Sequence, residues 1–326
     1  MEFQFTEDQV ALQEGIRSFC EGRFPFDGIG ELEKAPFDHG IWAELAEMGV
    51  FALRLPEASG GLGLGMADAA IVFAELGRRV VPGPTIWGAA LADTVDGVAE
   101  GRVVVGGLDA TLPTPAGPAL IDHGDRLDVL VVLRADGVYR VDGGALTGEL
   151  VAEPLDPLTP MLAAPELPQG EKIGDGEQAR RIRLQATALA SAFFLGMAEA
   201  TLAYAVEYAK GREQFDRPIA GFQAIKHIAA DMYVKQEMAR AAVYAAGCTY
   251  DDPGIGDPVR AIASARVVAG EAAMHNARKC VQIYGGMGFT WEMPPHYYLK
   301  RTFVLENAVG TGESAAETVA SRIESV

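Results

Sequence analysis

Two short segments of the sequence carry side chains that could bind a ligand. The first runs from Arg212 to Ile219, reads Arg-Glu-Gln-Phe-Asp-Arg-Pro-Ile, and lies between two apolar helical patterns. Its guanidinium can bind a phosphate through two hydrogen bonds. The amide of Gln214 can hydrogen-bond the edge of a heterocycle, and the ring of Phe215 can cover an aromatic group. Taken alone, such a connector is usually a solvated loop.

The second segment is rich in glycine. It reads Gln-Ile-Tyr-Gly-Gly-Met-Gly-Phe from Gln282 to Phe289 and follows a helical pattern. Gly285 and Gly286 would let a ligand approach the backbone closely and would allow positive φ angles. The same pattern is also typical of a helix C-cap followed by a turn. The segment is neither a P-loop, because Gly-Lys-Ser/Thr is missing, nor a Rossmann fingerprint, because the strand–turn–helix context is missing.

Composition and charge exclude several classes of function. The chain has 326 residues, with 27 basic and 45 acidic side chains and a formal net charge of −18. Binding of nucleic acid or of anionic membrane needs basic patches, so neither partner is expected. The 3 cysteines and 5 histidines show no metal-ligand spacing, so no metal site is predicted and a reducing compartment is expected. We find no secretory signal and no apolar run of about 18 residues, which predicts a cytoplasmic protein.

The composition changes twice along the chain and predicts an α+β protein with three domains. Residues 1–92 show helical periodicity and form the predicted N-terminal helical domain. Residues 93–175 contain short β-branched runs between turn residues, which predicts a reduced, mostly antiparallel middle β domain that ends in a linker over Pro154–Gly176. Residues 176–326 return to long helices and predict a four-helix bundle. Its helices are expected at about 179–210, around 225–232, at 257–283 and at 296–324.

Taken in order, these segments resemble the acyl-CoA dehydrogenase superfamily. The resemblance covers both helical blocks and is weak over residues 91–175. It rests on the pattern from Phe3 to Gln9, the stretch from Trp42 to Gly77, Arg212-x-Gln214-Phe215 with Pro218-Ile219, and Gln282-x-x-Gly285-Gly286-x-Gly288-Phe289.

The resemblance implies a fold, a reaction and a set of cofactor contacts. The family fold has an N-terminal helical domain, a β-barrel middle domain and a C-terminal four-helix bundle. The family reaction is the α,β-dehydrogenation of an acyl-CoA thioester with FAD, after which an electron-transfer flavoprotein takes the electrons. In the family, the two bundle signatures reach across a dimer interface to the neighbouring FAD. The residues in those positions here are Arg212, Gln214, Phe215, Gln282, Gly285 and Gly286.

The sequence departs from the family at the catalytic base. Val309 occupies the usual glutamate position, and Ala186 occupies the position of the glutamate that some members carry on the first helix of the bundle. Neither side chain can accept a proton, so the catalytic residue is unknown. The middle domain also lacks the stretches that normally surround the flavin ring. The chain therefore keeps residues that reach a neighbour's flavin and lacks those that build a flavin site of its own.

This combination resembles the smaller subunit of the α2β2 acyl-CoA dehydrogenases of actinobacterial steroid catabolism. The implied partner is a larger subunit whose FAD site this chain completes, and the implied substrate is a steroid-derived acyl-CoA. Two alternatives stay open. One is a homodimeric dehydrogenase with a displaced base, for which Glu306 and Glu313 are candidates because they would share a helix face with Val309. The other is a non-catalytic scaffold that binds no FAD.

Overall fold

The structure is a computed structural model that describes residues 4–112 and 117–323. Only the backbone of Phe26 and Asp27 is described. The start of the first family-like pattern, Phe3, lies outside the described residues, as does the predicted end of the last helix at residue 324.

The N-terminal region is helical, as the periodicity of residues 1–92 predicts, and its first helix begins with a capping box. The Thr6 hydroxyl accepts a hydrogen bond from the Gln9 amide at 3.2 Å, and the Gln9 side chain accepts one from the Thr6 amide at 3.1 Å. This reciprocal capping box satisfies two amides that the helix itself leaves unpaired. The α-helices of this region are α1 (Glu7–Arg23), α2 (His39–Glu47), α3 (Met66–Arg78) and α4 (Thr85–Leu91).

The middle region forms two small sheets. The first has the strand order β1-β3-β4-β7, in which β1 and β3 are parallel and the other pairs are antiparallel. The second has the order β2-β6-β5 and is antiparallel. The strands are β1 (Val105–Asp109), β2 (Ala119–Asp122), β3 (Val129–Arg134), β4 (Gly137–Asp142), β5 (Glu149–Leu150), β6 (Met161–Ala164) and β7 (Glu171–Asp175).

The predicted linker over Pro154–Gly176 is wrong, because it contains β6 and β7. Neither strand shows a run of β-branched residues, and prolines and glycines flank both, so the local pattern resembled a connector. Pairing with β2 and β4 places these residues in the sheets.

The C-terminal region contains the bundle. Four of its helices match the prediction in number and order up to Val309, where the predicted helix over 296–324 is interrupted. Gly310 adopts a φ of 52° there, and the Thr311 hydroxyl accepts from the Ser314 amide at 3.0 Å to begin a new helix. The helices are α5 (Gly176–Gly211), α6 (Gln223–Asp251), α7 (Pro258–Tyr284), α8 (Pro295–Ala308) and α9 (Gly312–Ser321), and a short hairpin of β8 (Glu213–Gln214) and β9 (Arg217–Pro218) follows α5.

Helix α5 is the centre of the molecule. It packs against α6 and α7 of the bundle and against α3 of the N-terminal region. A Cβ at Gly196 would lie 1.8 Å from the Ala74 carbonyl oxygen, and one at Gly77 would lie 2.0 Å from the Phe193 carbonyl oxygen. The two glycines therefore let the backbones of α3 and α5 touch, which fixes the N-terminal region on the bundle.

The expectation that no segment is apolar enough to span a membrane needs correction. By length and composition α5 qualifies, with a mean hydropathy of 1.5 in its most apolar window. That window is 83% buried within the protein, as in the core helix of a large bundle.

Candidate functional site

The structure brings the two predicted ligand-binding segments to one end of the bundle. The rings of Tyr208 near the end of α5 and Tyr284 at the end of α7 are stacked, with centroids 3.9 Å apart and planes inclined by 14°. The Tyr208 hydroxyl also donates to the Tyr284 carbonyl oxygen at 3.4 Å. Because Arg212 and Gly285 follow directly after these helix ends, the two segments are neighbours in space.

The first segment is a tight hairpin with a strained turn. Phe215 and Asp216 join β8 to β9 and have φ angles of 54° and 63°. Two successive left-handed residues are typical of a type I′ turn, which normally carries asparagine, aspartate or glycine. A bulky side chain such as Phe215 is an outlier in that conformation. The Arg212 backbone anchors the hairpin, since its amide donates to Tyr208 at 2.8 Å and its carbonyl accepts from Ile219 at 2.8 Å.

The predicted side chains of this hairpin face outward. Phe215 is 86% exposed, and Arg212 and Gln214 are also exposed. Within residues 4–112 and 117–323, no carboxylate lies within ion-pair distance of Arg212. An exposed aromatic ring on a strained turn beside an unpaired cation contributes nothing to the core, so the hairpin is available to an external group.

The glycine-rich segment leaves open space above its backbone. Gly285 ends α7 with a φ of 60°, and a Cβ built at Gly285 or at Gly286 would meet nothing within 4 Å in the part of the chain that is described. Packing within the chain therefore does not require Gly286. Gln282 lies one turn earlier on α7, and its side chain is exposed. An external group can lie directly on this backbone.

A groove continues from Gln282 along α7, and it was not predicted from the sequence. The groove has a volume of about 760 Å³, and Lys235 of α6 lines its other side. His275, Arg278, Lys279 and Gln282 lie at positions i, i+3, i+4 and i+7 of α7, so they share one helix face. That spacing was visible in the sequence and could have indicated the groove.

Residue His275 links the two walls of this groove. Its Nε2 atom lies 2.8 Å from the Asp231 carboxylate of α6. Burial lowers the pKa of His275, and Asp231 opposes that shift. The groove walls carry three cations, Lys235, Arg278 and Lys279, and two carboxylates, Glu271 and Glu306, so the groove is less acidic than a chain of net charge −18 as a whole.

Val309, the residue predicted to stand at the usual position of the family's base, is closed off from solvent. Val309 follows α8 in an extended conformation and is 2% exposed. It lines a cavity of about 50 Å³ whose other walls include Trp87 and Phe193. Ligand pockets of about 300–1,000 Å³ are usual for small molecules. The cavity therefore has no room for an acyl chain with its thioester, and Ala186 is itself fully buried within α5.

The two candidates for a displaced base do not meet at this position. Glu306 lies on α8 and Glu313 on α9, so the expectation that they share a helix face with Val309 is wrong. The physical reason is the left-handed turn at Gly310, which ends one helix before the next begins. Glu313 is exposed on the first turn of α9.

Residue Glu306 has a structural partner. One carboxylate oxygen accepts from the Arg266 guanidinium at 3.0 Å, and the other accepts from the Gly312 amide at 2.8 Å. Arg266 is fully buried, and it also donates to the carbonyl oxygens of Glu306 at 3.1 Å and Val309 at 3.4 Å. The pair holds the turn between α8 and α9 in place.

The exposed side chains fit one type of cofactor. An unpaired guanidinium, two exposed amides, an exposed aromatic ring and an open glycine backbone are the groups that a dinucleotide with its pyrophosphate needs. In the part of the chain that is described, no three His, Cys, Asp or Glu residues lie close enough to hold a metal ion.

Comparison with known proteins then decides the family. The model of the acyl-CoA dehydrogenase C-terminal domain matches residues 175–324, and that of the N-terminal domain matches residues 6–95. The chain belongs to the acyl-CoA dehydrogenase family. Its members are oxidoreductases that act on CH–CH bonds.

Individual acyl-CoA dehydrogenases are similar over most of this chain. Acyl-CoA dehydrogenase IpdE2 of Mycobacterium tuberculosis is 35% identical over 81% of this chain and 80% of its own length. Acyl-CoA dehydrogenase FadE34 of the same organism is 33% identical over 94% of this chain, a match that spans only 46% of FadE34.

Solved acyl-CoA dehydrogenase structures confirm the predicted fold class. A chain of the ChsE4–ChsE5 complex of Mycobacterium tuberculosis superposes with a TM-score of 0.82 at 23% identity, over 99% of each chain. Butyryl-CoA dehydrogenase of Megasphaera elsdenii superposes with a TM-score of 0.82 at 21% identity, over 98% of this chain and 99% of its own. The helical N-terminal region, small middle sheets and helical C-terminal region are those of this fold. The domain limits at residues 92 and 175 stay predictions, as do the roles of the individual site residues.

Proposed function

We propose that this chain is the smaller subunit of a heterotetrameric, FAD-dependent acyl-CoA dehydrogenase and completes the FAD site of a larger subunit. One contrast within the structure supports the proposal. The residues that would reach a neighbour's dinucleotide are exposed together at one end of the bundle, whereas Val309 closes the chain's own base position over a cavity of about 50 Å³.

Each exposed group has a distinct task toward the dinucleotide. The Arg212 guanidinium would bind the pyrophosphate, and the amides of Gln214 and Gln282 would hydrogen-bond the adenosine part. Phe215 would cover an aromatic face, and the open backbone at Gly286 would allow close approach. When bound, FAD supplies the acceptor for the hydride, while this chain binds and orients the dinucleotide.

The basic face of α7 extends this binding surface. Lys279 lies one turn before Gln282, and Arg278 lies on the same helix face. Both cations therefore line the part of the groove that extends from Gln282 away from the glycine-rich segment. Their charge suits a phosphate group, although Glu271 and Glu306 line the same groove and offset part of it; Glu306 is already paired with Arg266. We infer that the groove guides the dinucleotide of the larger subunit to Arg212.

The relatives and structural neighbours support a proposal for the substrate class and the partners. IpdE2 is an acyl-CoA dehydrogenase at 35% identity, and two of the structural neighbours are the ChsE4–ChsE5 complex and a steroid acyl-CoA dehydrogenase with two named components, Tcur3481 and Tcur3483. We propose a steroid-derived acyl-CoA substrate, an electron-transfer flavoprotein as acceptor and a cytoplasmic location.

Expression with and without a larger dehydrogenase subunit tests this function. The chain alone should purify without flavin, and the complex should show flavin absorbance at one FAD per pair of unlike subunits. Arg212→Gln should reduce the flavin retained by the complex. Arg102→Gln, which replaces an exposed arginine paired with Glu100 outside the bundle, should not. The proposal would be falsified if the chain alone held stoichiometric FAD and oxidised acyl-CoA.

The same samples separate the two alternatives. Full flavin content in the complex with Arg212→Gln and Gln282→Ala together would favour a scaffold that makes no FAD contact. Loss of turnover in Glu306→Gln or Glu313→Gln at unchanged flavin content would favour a base on this chain.

A further inference from the structure

Residue Tyr208 is bonded to both halves of the exposed dinucleotide surface. Its backbone carbonyl accepts from the Arg212 amide at 2.8 Å, at the start of the hairpin. Its side-chain hydroxyl donates to the Tyr284 carbonyl oxygen at 3.4 Å, directly before Gly285. One half-buried residue of α5 therefore connects the segment that carries the guanidinium with the segment that carries the open glycine backbone.

The contact between the Tyr208 and Tyr284 rings fixes the separation of the two helix ends. The ring planes are inclined by only 14°, and the centroids lie 3.9 Å apart. Tyr284 is 6% exposed, and its own hydroxyl donates to the Tyr204 carbonyl oxygen at 3.4 Å, one turn before Tyr208. Burial raises the pKa of Tyr284, so this hydroxyl keeps its proton at physiological pH. Hydrogen bonds of this length are weak, so the stacked rings contribute more to the link between α5 and α7 than the two hydroxyls do.

The Tyr208 hydroxyl also holds the peptide at which the glycines begin. The carbonyl of this peptide belongs to Tyr284 and accepts from Tyr208, and its amide belongs to Gly285 and donates to the Gln282 carbonyl. Gly285 has a φ of 60° and a ψ of −136°, a conformation that favours glycine. Because the peptide is bonded on both sides, its rotation is restricted. The direction in which the chain continues to Gly286 is restricted with it.

A small apolar cluster supports the stacked rings. Its buried members come from α5, α6 and α7. Tyr208 packs against this cluster, as do Met287 of the glycine-rich segment and Ile219, which follows the hairpin. The Ile219 amide donates to the Arg212 carbonyl at 2.8 Å. Both segments therefore rest on the same cluster, and the stacked rings join them across it.

We propose that Tyr208 is a positioning residue, which holds the Arg212 guanidinium and the Gly286 backbone at the separation that a bound dinucleotide needs. A site that is fixed before binding loses less conformational entropy when the ligand arrives, so its affinity is higher. Tyr208 acts through the two segments and needs no contact of its own with the cofactor. The inference rests on the proposed function, because FAD meets these segments only if the chain completes the site of a larger subunit.

A double-mutant cycle in the complex with the larger subunit tests the proposal. FAD is titrated into the flavin-depleted complex, and size-exclusion chromatography checks that each variant still assembles. Arg212→Gln and Tyr208→Leu should each weaken FAD binding about tenfold. In the Tyr208→Leu background, Arg212→Gln should weaken FAD binding less than about threefold, because the guanidinium is no longer held at the pyrophosphate. Tyr208→Phe keeps the stacked ring and should bind FAD within about threefold of the wild type.

Tyr250→Leu is the matched control for a general loss of stability. Tyr250 is also half-buried in the bundle, but it lies near the far end of α6, where its hydroxyl accepts from the Gln185 amide at 2.8 Å. This variant should lower the stability of the chain and leave FAD binding within about twofold. If Tyr208→Leu does not fold, Tyr208→Met takes its place in the cycle, because its flexible side chain fills the space without a planar face.

The outcomes separate this inference from the proposed function. Unchanged FAD affinity in the Tyr208→Leu complex would overturn the positioning role and leave the proposed function intact. Equal losses from Arg212→Gln in both backgrounds would do the same. A loss in Tyr250→Leu as large as in Tyr208→Leu would also refute positioning, because any weakening of the bundle would then release FAD. If Arg212→Gln has no effect in the wild-type background, the proposed function fails and this inference fails with it.

Discussion

The buried pair of Arg266 and Glu306 gives the sharpest test of how the chain holds its α8–α9 turn. Arg266 is fully buried, whereas the Glu306 side chain is 32% exposed. Removing one partner of a fully buried ion pair costs about 3–5 kcal/mol, because the remaining charge is left without compensation. Glu306 is about one third exposed, so water can partly replace it, and we expect Glu306→Gln to cost about 2 kcal/mol.

The reverse change should cost a similar amount for a different reason. Arg266→Met removes a charge that is expensive to bury, but it also leaves the carbonyl oxygens of Glu306 and Val309 without their donor. A net loss of about 1 kcal/mol for each hydrogen bond gives a total of about 2 kcal/mol. In the double variant the uncompensated charge disappears, so the two losses should not add. We expect a coupling energy of about 1–2 kcal/mol.

Denaturant unfolding of the two single variants, the double variant and the wild type measures this coupling. Glu313→Gln is the matched control, because this exposed glutamate on the next helix should change stability by less than about 0.5 kcal/mol. Losses that add within about 0.5 kcal/mol would refute the assignment of Glu306 as the counter-ion of Arg266. Turnover of the complex with its larger subunit should survive Glu306→Gln, since the carboxylate is already engaged.

Three further predictions concern the hairpin, the glycines and pH. Phe215→Asn should leave the chain at least as stable, with a gain of up to about 1 kcal/mol by denaturant unfolding, because asparagine tolerates the left-handed conformation. The same variant should weaken flavin retention in the complex. Unchanged retention would show that the Phe215 ring does not contact the cofactor. Gly286→Leu should leave the stability of the free chain unchanged and abolish flavin retention, because the new side chain enters the open space above the backbone. Gly196→Ala should prevent folding, because its Cβ would overlap the Ala74 carbonyl oxygen. Circular dichroism measures folding and flavin absorbance measures retention, so together they distinguish these outcomes. Burial lowers the pKa of His296 to about 4, so the contribution of the neutral ring to stability is complete above about pH 6.5 and is lost as pH falls through 4. His296→Phe should reduce the slope of unfolding free energy against pH between about pH 4 and 6.5. An unchanged slope in unfolding experiments would show that His296 does not cause this pH dependence.

The sequence predicted the features that depend on local chemistry. The apolar pattern of α5 predicts a core helix within a few residues of its observed limits. The two candidate binding segments were recognised because Arg212 and Gly285 lie at helix ends, where side-chain type and spacing carry the signal. Short strands such as β6 were missed because pairing with distant residues, rather than their own composition, makes them strands.

The amino-acid sequence by itself predicted the family, the helical character of both ends of the chain and a valine rather than a carboxylate at position 309, because these depend on residue type and position along the chain. Only the tertiary structure decided which side chains are exposed and which are paired with other residues. It places Arg212 and Gln282 at one exposed end of the bundle, and it buries His123 with a ring nitrogen that has no hydrogen-bond partner among the residues that are described. It also engages Glu306 with Arg266, a residue 40 positions earlier in the chain. Burial and pairing arise from contacts between distant segments, and no local pattern contains that information.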